Sequence, residues 1–252
     1  MSRLVGADNG PTLVAQSVME DSATAKAAVG AYFALGDRKF RYCKNGSVAL
    51  AAGLLVQGPA LHATYFQNIA VQAAAAAGAT AVSVTLPNQD NLTLVANQLA
   101  GGYLSVYDVS TGVGETYKIK SHIATTKNTT ATFNLYDGLV TALTTSDKVS
   151  LAPSKYNLVV VSPATTATNV PVGVPLVAIT ASYYFWAQVS GPSTALADGA
   201  WVMGQPLVRS LGTAGALRAL AGGSVADVEK TIATAFVTTA STKYGQCELC
   251  IE

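Results

Sequence analysis

Short stretches of alternating apolar and polar residues run through most of this chain and constrain its fold more than any other feature. Residues 82–86 read Val-Ser-Val-Thr-Leu, and residues 116–120 and 132–135 follow the same pattern. Because successive side chains of a β-strand point to opposite faces, each stretch predicts a strand with one buried face and one wet face.

Turn-forming dipeptides separate these stretches. They are Asn45-Gly46, Gly101-Gly102, Asp137-Gly138, Asp198-Gly199 and Gly222-Gly223. Gly and Asn adopt positive φ angles at low cost, so these pairs are typical of hairpin turns. Short strands with frequent turns predict an all-β fold, either a β-sandwich or a barrel.

The N-terminal part of the chain has a different composition. Residues 1–36 are rich in Gly, Ala and Ser and show little periodicity. We expect an extended N-terminal arm that becomes ordered on a partner, followed by a β domain over residues 37–252. A short helix over residues 14–28 is the alternative, although an isolated helix of that length is marginal.

Two continuous apolar runs interrupt the alternation, at residues 158–161 and 176–179. Either run suits a strand buried on both faces, or a strand that leaves one small domain to enter another. The segment between them is rich in Thr, Ala and Pro and is typical of a crossover. We therefore expect residues 40–60 to pair with residues 175–252, while residues 62–165 form an inserted β subdomain.

Charged residues make up 12 % of the chain, and the net charge is +1. Low charge suits a protein that contacts other subunits, because charged residues are depleted at the cores of interfaces. Nucleic-acid binding is not expected, since the basic residues form no stripe. A membrane span is not expected either, because the weakly polar stretch 69–84 contains too few bulky apolar residues. Three cysteines without framework spacing indicate synthesis in a reducing cytoplasm.

Residues that could support catalysis or bind a metal or cofactor are not arranged in any recognised pattern. Cys247 and Cys250 have the spacing of redox and zinc sites, but residues three apart on a strand point to opposite faces. His62 and His122 follow no known ligand order, and residues 112–116 lack the third glycine of a phosphate-binding loop. We expect no catalytic residue, no cofactor and no metal, and therefore no enzyme.

The densest aromatic run is Tyr-Tyr-Phe-Trp-Ala-Gln-Val-Ser-Gly, at residues 183–191. On a strand, Tyr183 and Phe185 share one face, while Tyr184 and Trp186 share the other. The run could be a sugar-binding platform or a strand buried on both faces. A platform needs only one exposed face, so a buried strand packed against its own core and against a neighbouring subunit fits better.

Several segments resemble capsid decoration, or cement, proteins of tailed phages. Residues 35–42 (Leu-Gly-Asp-Arg-Lys-Phe-Arg-Tyr) and 50–56 look like the opening of these proteins. Residues 101–104, 115–122 and 183–188 look like later segments, so the resemblance covers most of the chain from Leu35 onward. It implies a β-sandwich or barrel subunit, often trimeric, that sits on the outside of the phage capsid and bridges major capsid protein subunits.

This resemblance implies a virion structural protein, made in the host cytoplasm, whose partner is the major capsid protein and which forms a homo-oligomer. A head fibre or a carbohydrate-binding virion module that uses Trp186 or Trp201 is the alternative. For a decoration protein, deletion of the arm should abolish capsid binding and leave a folded β domain. The candidate capsid or subunit contacts are Arg3, Leu4, Val14 and Val18 in the arm, Arg38 and Phe40 after it, and Tyr184 and Trp186 in the aromatic run.

Overall fold

The computed structural model describes seven stretches of the chain and contains twenty β-strands within them. The described residues are 5–7, 10–12, 15–60, 66–88, 92–108, 114–220 and 230–252, with the backbone alone at 5–7, 10–12 and 108. No α-helix occurs among these residues, so none of them belongs to a helix that could span a membrane. The fold is all-β, as the alternation predicted.

The chain divides into two compact units. The first consists of residues 1–59 and 155–252, and the second of residues 60–154. The second unit therefore lies within the sequence of the first, close to the insertion expected at residues 62–165. The boundary differs at its C-terminal end, because the strand at Asn157–Val161 pairs within the first unit.

The second unit is built around a six-stranded antiparallel sheet whose strand order is β6-β13-β9-β10-β12-β7. A bridge between Val71 and Val84 joins the two edges, so the sheet almost closes into a barrel. β8 and β11 pair with each other in a separate two-stranded sheet. The strands are β6 (Ile69–Ala70), β7 (Ala81–Thr85), β8 (Thr93–Leu94), β9 (Tyr103–Asp108), β10 (Thr116–His122), β11 (Thr125–Thr126), β12 (Thr130–Leu135) and β13 (Lys148–Ala152).

The alternating residues of the second unit form its core. Val82, Val84, Ile119 and Phe133 are all completely buried, whereas their neighbours on each strand face outward. Burial of each such side chain contributes about 1.5–3 kcal/mol relative to exposure. The period-two pattern in the sequence therefore corresponds directly to the inside and the outside of this barrel.

The first unit contains a ten-stranded sheet in which one long strand, β16, takes part in two rings. In the first ring, β16 pairs with β4 and with β15, and the ring closes through β5 and β14. In the second ring, β16 pairs with β20, which is followed by β19, β17 and β18. The ten strands are β3 (Tyr32–Leu35), β4 (Arg38–Asn45), β5 (Val56–Gln57), β14 (Asn157–Val161), β15 (Pro171–Pro175), β16 (Tyr184–Leu196), β17 (Pro206–Arg209), β18 (Leu217–Ala219), β19 (Ala233–Ala235) and β20 (Tyr244–Cys250). Two further strands, β1 (Val5–Ala7) and β2 (Gly10–Thr12), form a separate two-stranded sheet.

A short connection closes the second ring. Ala197 forms a parallel bridge with Leu217, and the Asp198 N–H donates to the Leu217 carbonyl at 2.8 Å. Trp201 is completely buried among the residues that fill this ring, and its indole N–H donates to the same carbonyl at 3.2 Å. The first ring has its own core, which includes Cys43 and Phe185.

β16 changes partners near Gly191. Ser190 is the last residue opposite β4 and the first opposite β20. Gly191 has a φ of +90°, and a Cβ there would lie 2.3 Å from the Asp37 carbonyl oxygen. Only glycine combines this backbone angle with such a close approach, so Gly191 allows one strand to serve two rings.

The expected strand at residues 176–179 is not formed. The strand is instead β15, just upstream, and Ile179 makes only an isolated bridge with Leu50. Gly173 lies so close to β16 that a Cβ would be 2.7 Å from the Gln188 carbonyl oxygen. Residues 171–175 read Pro-Val-Gly-Val-Pro, and two prolines and a glycine are not typical of a strand, so the sequence pattern does not predict β15.

Candidate functional site

The aromatic run forms one half of a cluster on the outer face of the first ring. We call Phe33, Phe40, Tyr42, Tyr184 and Trp186 the aromatic cluster. The Trp186 ring packs edge-on against Tyr42 with 4.9 Å between centroids, and it lies 5.5 Å from Phe33. Tyr42 and Tyr184 stack almost parallel at 6.1 Å. The cluster arises because Trp186 lies opposite Tyr42 in the β4–β16 ladder.

The chain covers this cluster with its own N-terminal segment, residues 15–35. Gln16 is buried and attaches the start of this segment: its Nε2 donates to the Tyr184 carbonyl at 2.8 Å, and its Oε1 accepts from the Tyr42 hydroxyl at 2.5 Å. Ser22 adds a two-bond bridge to Tyr184, and β3 pairs with β4. The expectation of an extended arm as far as residue 36 is wrong for this segment, because it packs on the sheet that follows it.

The predicted contact residues fall into three groups. Val18, Phe40 and Trp186 are buried within the unit, so their side chains have no surface to offer a partner. Arg38 and Tyr184 are partly exposed. Arg3, Leu4 and Val14 lie outside the described residues. The aromatic run is buried on both faces, as expected, but the second face is covered by residues 15–35 of the same chain rather than by a neighbouring subunit.

The burial of the tryptophans also removes them as a sugar-binding platform. Trp186 is 3 % exposed and Trp201 is 0 % exposed. A sugar ring stacks on the open face of an aromatic side chain, and neither indole has one. The alternative function cannot depend on Trp186 or Trp201.

A cleft of about 710 Å³ opens in the first unit beside the residues where β16 changes partners. We call it the β16 cleft. Met19, Phe236 and Tyr244 stand at its rim and are 58 %, 47 % and 52 % exposed. The Tyr244 ring lies directly against the Cα of Gly53. The remaining lining residues are Arg38, Ala51, Ala52, Pro175, Leu176, Gln188, Pro192, Ser193, Thr194 and Gln246.

Two buried polar atoms belong to residues that line this cleft. Gln188 is 0 % exposed, and its Nε2 donates to the carbonyls of Ser190 and Pro192, which leaves Oε1 without a donor. Ser193 is 9 % exposed, and its Oγ also has no partner. Ser193 lies opposite the buried Cys247 in the β16–β20 ladder, so its hydroxyl faces the core of the second ring and not the cleft.

A second surface feature lies on the outer face of the second unit. Tyr103, Lys118 and Tyr136 occupy one row across neighbouring strands, since Lys118 is opposite Tyr103 and its carbonyl accepts from the Tyr136 N–H at 3.0 Å. The Lys118 Nζ lies 5.9 Å from the centre of the Tyr136 ring. All three side chains are exposed. We call these residues the tyrosine row.

Glu252 is the centre of a polar cluster on the first unit. Its carboxylate accepts from Arg41 Nε at 2.6 Å, from Lys155 Nζ at 2.7 Å and from the Tyr156 hydroxyl. Partial burial favours the neutral acid, but the three donors outweigh it and lower the pKa of Glu252 to about 2. The Arg41 guanidinium also lies 5.4 Å from the centre of the Tyr32 ring. These contacts join Glu252 to Arg41 in β4 and to Lys155 and Tyr156, where the chain returns to the first unit.

The cysteines and the described histidine show features of structural residues. Cys43 and Cys247 are buried and Cys250 is exposed, so the last two point to opposite faces of β20, as expected. His122 is buried, accepts from the Leu99 N–H through Nε2, and donates from Nδ1 to the Ile123 carbonyl. Burial lowers the pKa of His122. Among the described residues, no group of three His, Cys, Asp or Glu side chains could hold a metal ion.

No protein-family model, no curated protein and no solved structure matches this chain.

Sequence reasoning missed the residues that define these sites. Gln16, Gln188 and Ser193 are isolated polar residues in weakly patterned sequence. Gln16 has partners distant along the chain, Gln188 bonds to carbonyls of its own strand, and Ser193 Oγ has no partner. The alternation predicts a strand that contains Lys118, but it does not predict that Tyr103 is its neighbour. Their register depends on the turn that joins β9 to β10, which alternation alone does not determine.

Proposed function

We propose that this protein is a virion structural protein that binds the outside of a phage capsid and stabilises it by bridging major capsid protein subunits. The observation that carries the proposal is the pairing of segments that bear the resemblance. Residues 35–42 and 183–188 are far apart in the sequence, yet they lie side by side in the β4–β16 ladder. Residues 101–104 and 115–122 are likewise neighbours in the β9–β10 ladder of the second unit, so the segments that carry the resemblance form one strand pair in each unit.

The surface chemistry of the first unit supports this proposal. Met19, Phe236 and Tyr244 expose large apolar side chains around a concave surface. Exposed apolar groups that cluster around a cleft are a common feature of protein-binding surfaces. A subunit that uses such a surface on adjacent capsomers would hold them together by the area that it buries on each.

The test is binding to empty expanded shells assembled from the major capsid protein. Purified protein is mixed with shells, sedimented, and located on the shell by cryo-electron microscopy. We expect saturable binding to the outer surface, with a stoichiometry tied to the number of capsomers, and a shell that withstands higher temperature when occupied. Absence of the protein from sedimented expanded shells would contradict the proposal.

Deletion of the whole segment 1–36 would not separate loss of capsid binding from loss of the fold. It would remove Gln16 and β3 and expose Trp186, so that loss of binding would follow from loss of the fold. Deletion of residues 1–14 is the better variant, because it retains the hydrogen bonds of Gln16. Unchanged occupancy of this shorter form would show that the remaining surface is sufficient.

A carbohydrate-binding virion module is the second candidate, and the tyrosine row favours it. Tyr103 and Tyr136 expose about half of their surface on either side of a lysine. Aromatic faces stack on sugar rings, while Lys118 suits a carboxylate, and no described carboxylate forms an ion pair with it. An acidic glycan is the ligand that this row would select.

The second candidate is tested on an array of neutral and uronate-containing glycans. Binding should be confined to acidic glycans and should disappear in Tyr136→Ala and in Lys118→Gln. The variant Tyr244→Ala, which alters an exposed tyrosine of the first unit, is the control. Binding that survives both changes in the row, or an array without signal, would reject this candidate.

A further inference from the structure

We propose, independently of any role on a capsid, that His122 is a pH-sensitive attachment point in the second unit. In its neutral form it holds residues 95–102 on β10, and its protonation releases them. We call residues 95–102 the turn segment. Release of the turn segment exposes Leu99, which is only 1 % exposed in this structure.

The turn segment joins β8 to β9 and is attached to β10 chiefly through His122. The Asn97 N–H donates to the His122 carbonyl at 3.0 Å, and the His122 N–H donates to Asn97 Oδ1 at 3.1 Å. The Leu99 N–H donates to the imidazole Nε2 at 2.9 Å. The end of the segment bonds to the backbone of Ile119. His122 therefore holds the middle of the segment with both its backbone and its ring.

The hydrogen bonds of the ring are compatible only with a neutral imidazole. Nδ1 contacts the Ile123 carbonyl at 2.9 Å, so it carries the proton, and Nε2 is left to accept from the Leu99 N–H. A proton on Nε2 would place two N–H donors against each other. Protonation of His122 and the bond from Leu99 therefore exclude each other.

The surroundings of the ring do not compensate a positive charge. His122 is 4 % exposed, and its ring centre lies 5.1 Å from that of Phe133 on β12. The turn segment, β8, β11 and β12 contain no Asp or Glu, and Glu115 precedes β10 at the end opposite His122. The charged residues on β10 and after β11 are exposed lysines, namely Lys118, Lys120 and Lys127. A buried imidazolium without a counter-charge is costly, so burial lowers the pKa of His122 below its ordinary value of 6.5.

The direction of the pH effect follows from this difference in proton affinity. The released state takes up a proton at a pH where the attached state does not. Attachment is therefore fully favoured above pH 6.5 and weakens as the pH falls below 6.5 towards the pKa of the folded state. A difference of one proton changes the opening equilibrium by at most about tenfold per pH unit.

The first experiment measures amide hydrogen exchange from about pH 7.5 to about pH 5, with each rate corrected for the intrinsic effect of pH. Protection of the Asn97 and Leu99 amides should fall by up to about tenfold per pH unit below pH 6.5. The amides of β7 and β12 should keep their protection. Unchanged protection at Leu99 would overturn the proposal, and so would an equal loss in β7 and β12, because the whole unit would then be unfolding.

A variant without a titratable ring separates charge from packing. In His122→Gln the side-chain oxygen can accept from the Leu99 N–H, but the side chain does not change charge. Its protection at Leu99 should no longer depend on pH. His62→Gln removes the other histidine of the chain and is the matched control, which should behave like wild type. A pH dependence that survives in His122→Gln would assign the effect to another group and reject the proposal.

The titration of His122 in the wild-type protein provides a measurement that does not depend on how well the variant folds. Nitrogen chemical shifts of the ring should show a neutral imidazole protonated on Nδ1 above pH 6.5. Protonation of Nε2 should coincide with the loss of protection at Leu99. A ring that becomes protonated while the Leu99 amide stays protected would show that protonation does not release the turn segment.

Discussion

The indole N–H of Trp186 donates to the backbone carbonyl of Gln16 at 3.2 Å, across 170 residues of sequence. The same glutamine accepts from the Tyr42 hydroxyl and donates to the carbonyls of Glu20 and Tyr184. One buried side chain therefore satisfies polar groups on two strands and on its own turn. These bonds add to the packing of Val18 and Phe33 of the same segment against the aromatic cluster, and together they make residues 15–35 part of the fold.

Gln16→Ala should destabilise the first unit. The change leaves the Tyr184 carbonyl with one donor fewer and removes the acceptor of the Tyr42 hydroxyl, which should cost about 2–3 kcal/mol of unfolding free energy. Urea unfolding followed by tryptophan fluorescence measures it, because both tryptophans belong to this unit. The control is Thr24→Ala, at an exposed position of the same segment. Equal stability of the two variants would show that Gln16 is not the attachment point.

Gly191→Ala should be more harmful than Gly199→Ala, although both glycines have similar backbone angles. Their φ values are +90° and +81°. A Cβ at Gly199 meets nothing within 4 Å, so the change should cost only the backbone strain of about 1–2 kcal/mol. At Gly191 the Cβ would clash with the Asp37 carbonyl, which adds about 1–3 kcal/mol. Chemical denaturation of the two variants measures the difference, and equal losses would contradict the clash.

The Glu252 cluster should make the first unit sensitive to acid. The pKa of Glu252 falls from its ordinary value of 4.5 to about 2 on folding. The folded-state pKa lies below the unfolded one, so the stabilisation is present above pH 4.5 and is lost as the pH falls towards 2. Because the carboxylate remains partly exposed, Glu252→Gln should cost only about 1 kcal/mol at pH 7.

The measurement for Glu252 is the difference in unfolding free energy between wild type and Glu252→Gln as a function of pH. The difference should shrink towards zero between pH 4.5 and 2. Glu248→Gln, on the same terminal strand, controls for the loss of a negative charge. A difference that does not change with pH would show that the carboxylate contributes by packing alone.

The three cysteines should react at very different rates in the folded protein. Burial raises the pKa of the Cys43 thiol, and it raises the pKa of Cys247 to about 12, so neither forms a thiolate at pH 8. Cys250 is exposed and should be the one modified by iodoacetamide. Peptide mass spectrometry before and after denaturation measures the extent of modification of each cysteine. Rapid modification of Cys247 in the native state would mean that β20 opens readily.

The sequence predicts best the strands that bury one face and expose the other face to solvent. Residues 82–86 and 132–135 alternate cleanly because one side of each strand lines the core of the second unit. The sequence pattern does not predict β15, because its backbone packs closely against β16 at Gly173 and the strand needs no bulky side chain there. Alternation reports the contrast between two faces, and it disappears where both faces are buried.

The candidate site was less predictable than the fold. The apolar faces of residues 183–188 correctly indicated burial on both sides, but they could not indicate which chain covers the second side. That depends on Gln16, a single residue whose four hydrogen bonds appear only after β4 and β16 have paired. The β16 cleft likewise exists only because two rings share one strand.

The shared strand also determines the order in which the chain can fold during synthesis. β4 leaves the ribosome early, but both of its ring neighbours, β14 and β16, follow the whole of the second unit. The second unit closes on contacts between residues 60 and 154 and can therefore fold first. β3 precedes β4 and can pair with it at once, but the first ring cannot close until β14 and β16 have emerged, and this long separation of its strands is expected to make its folding slow.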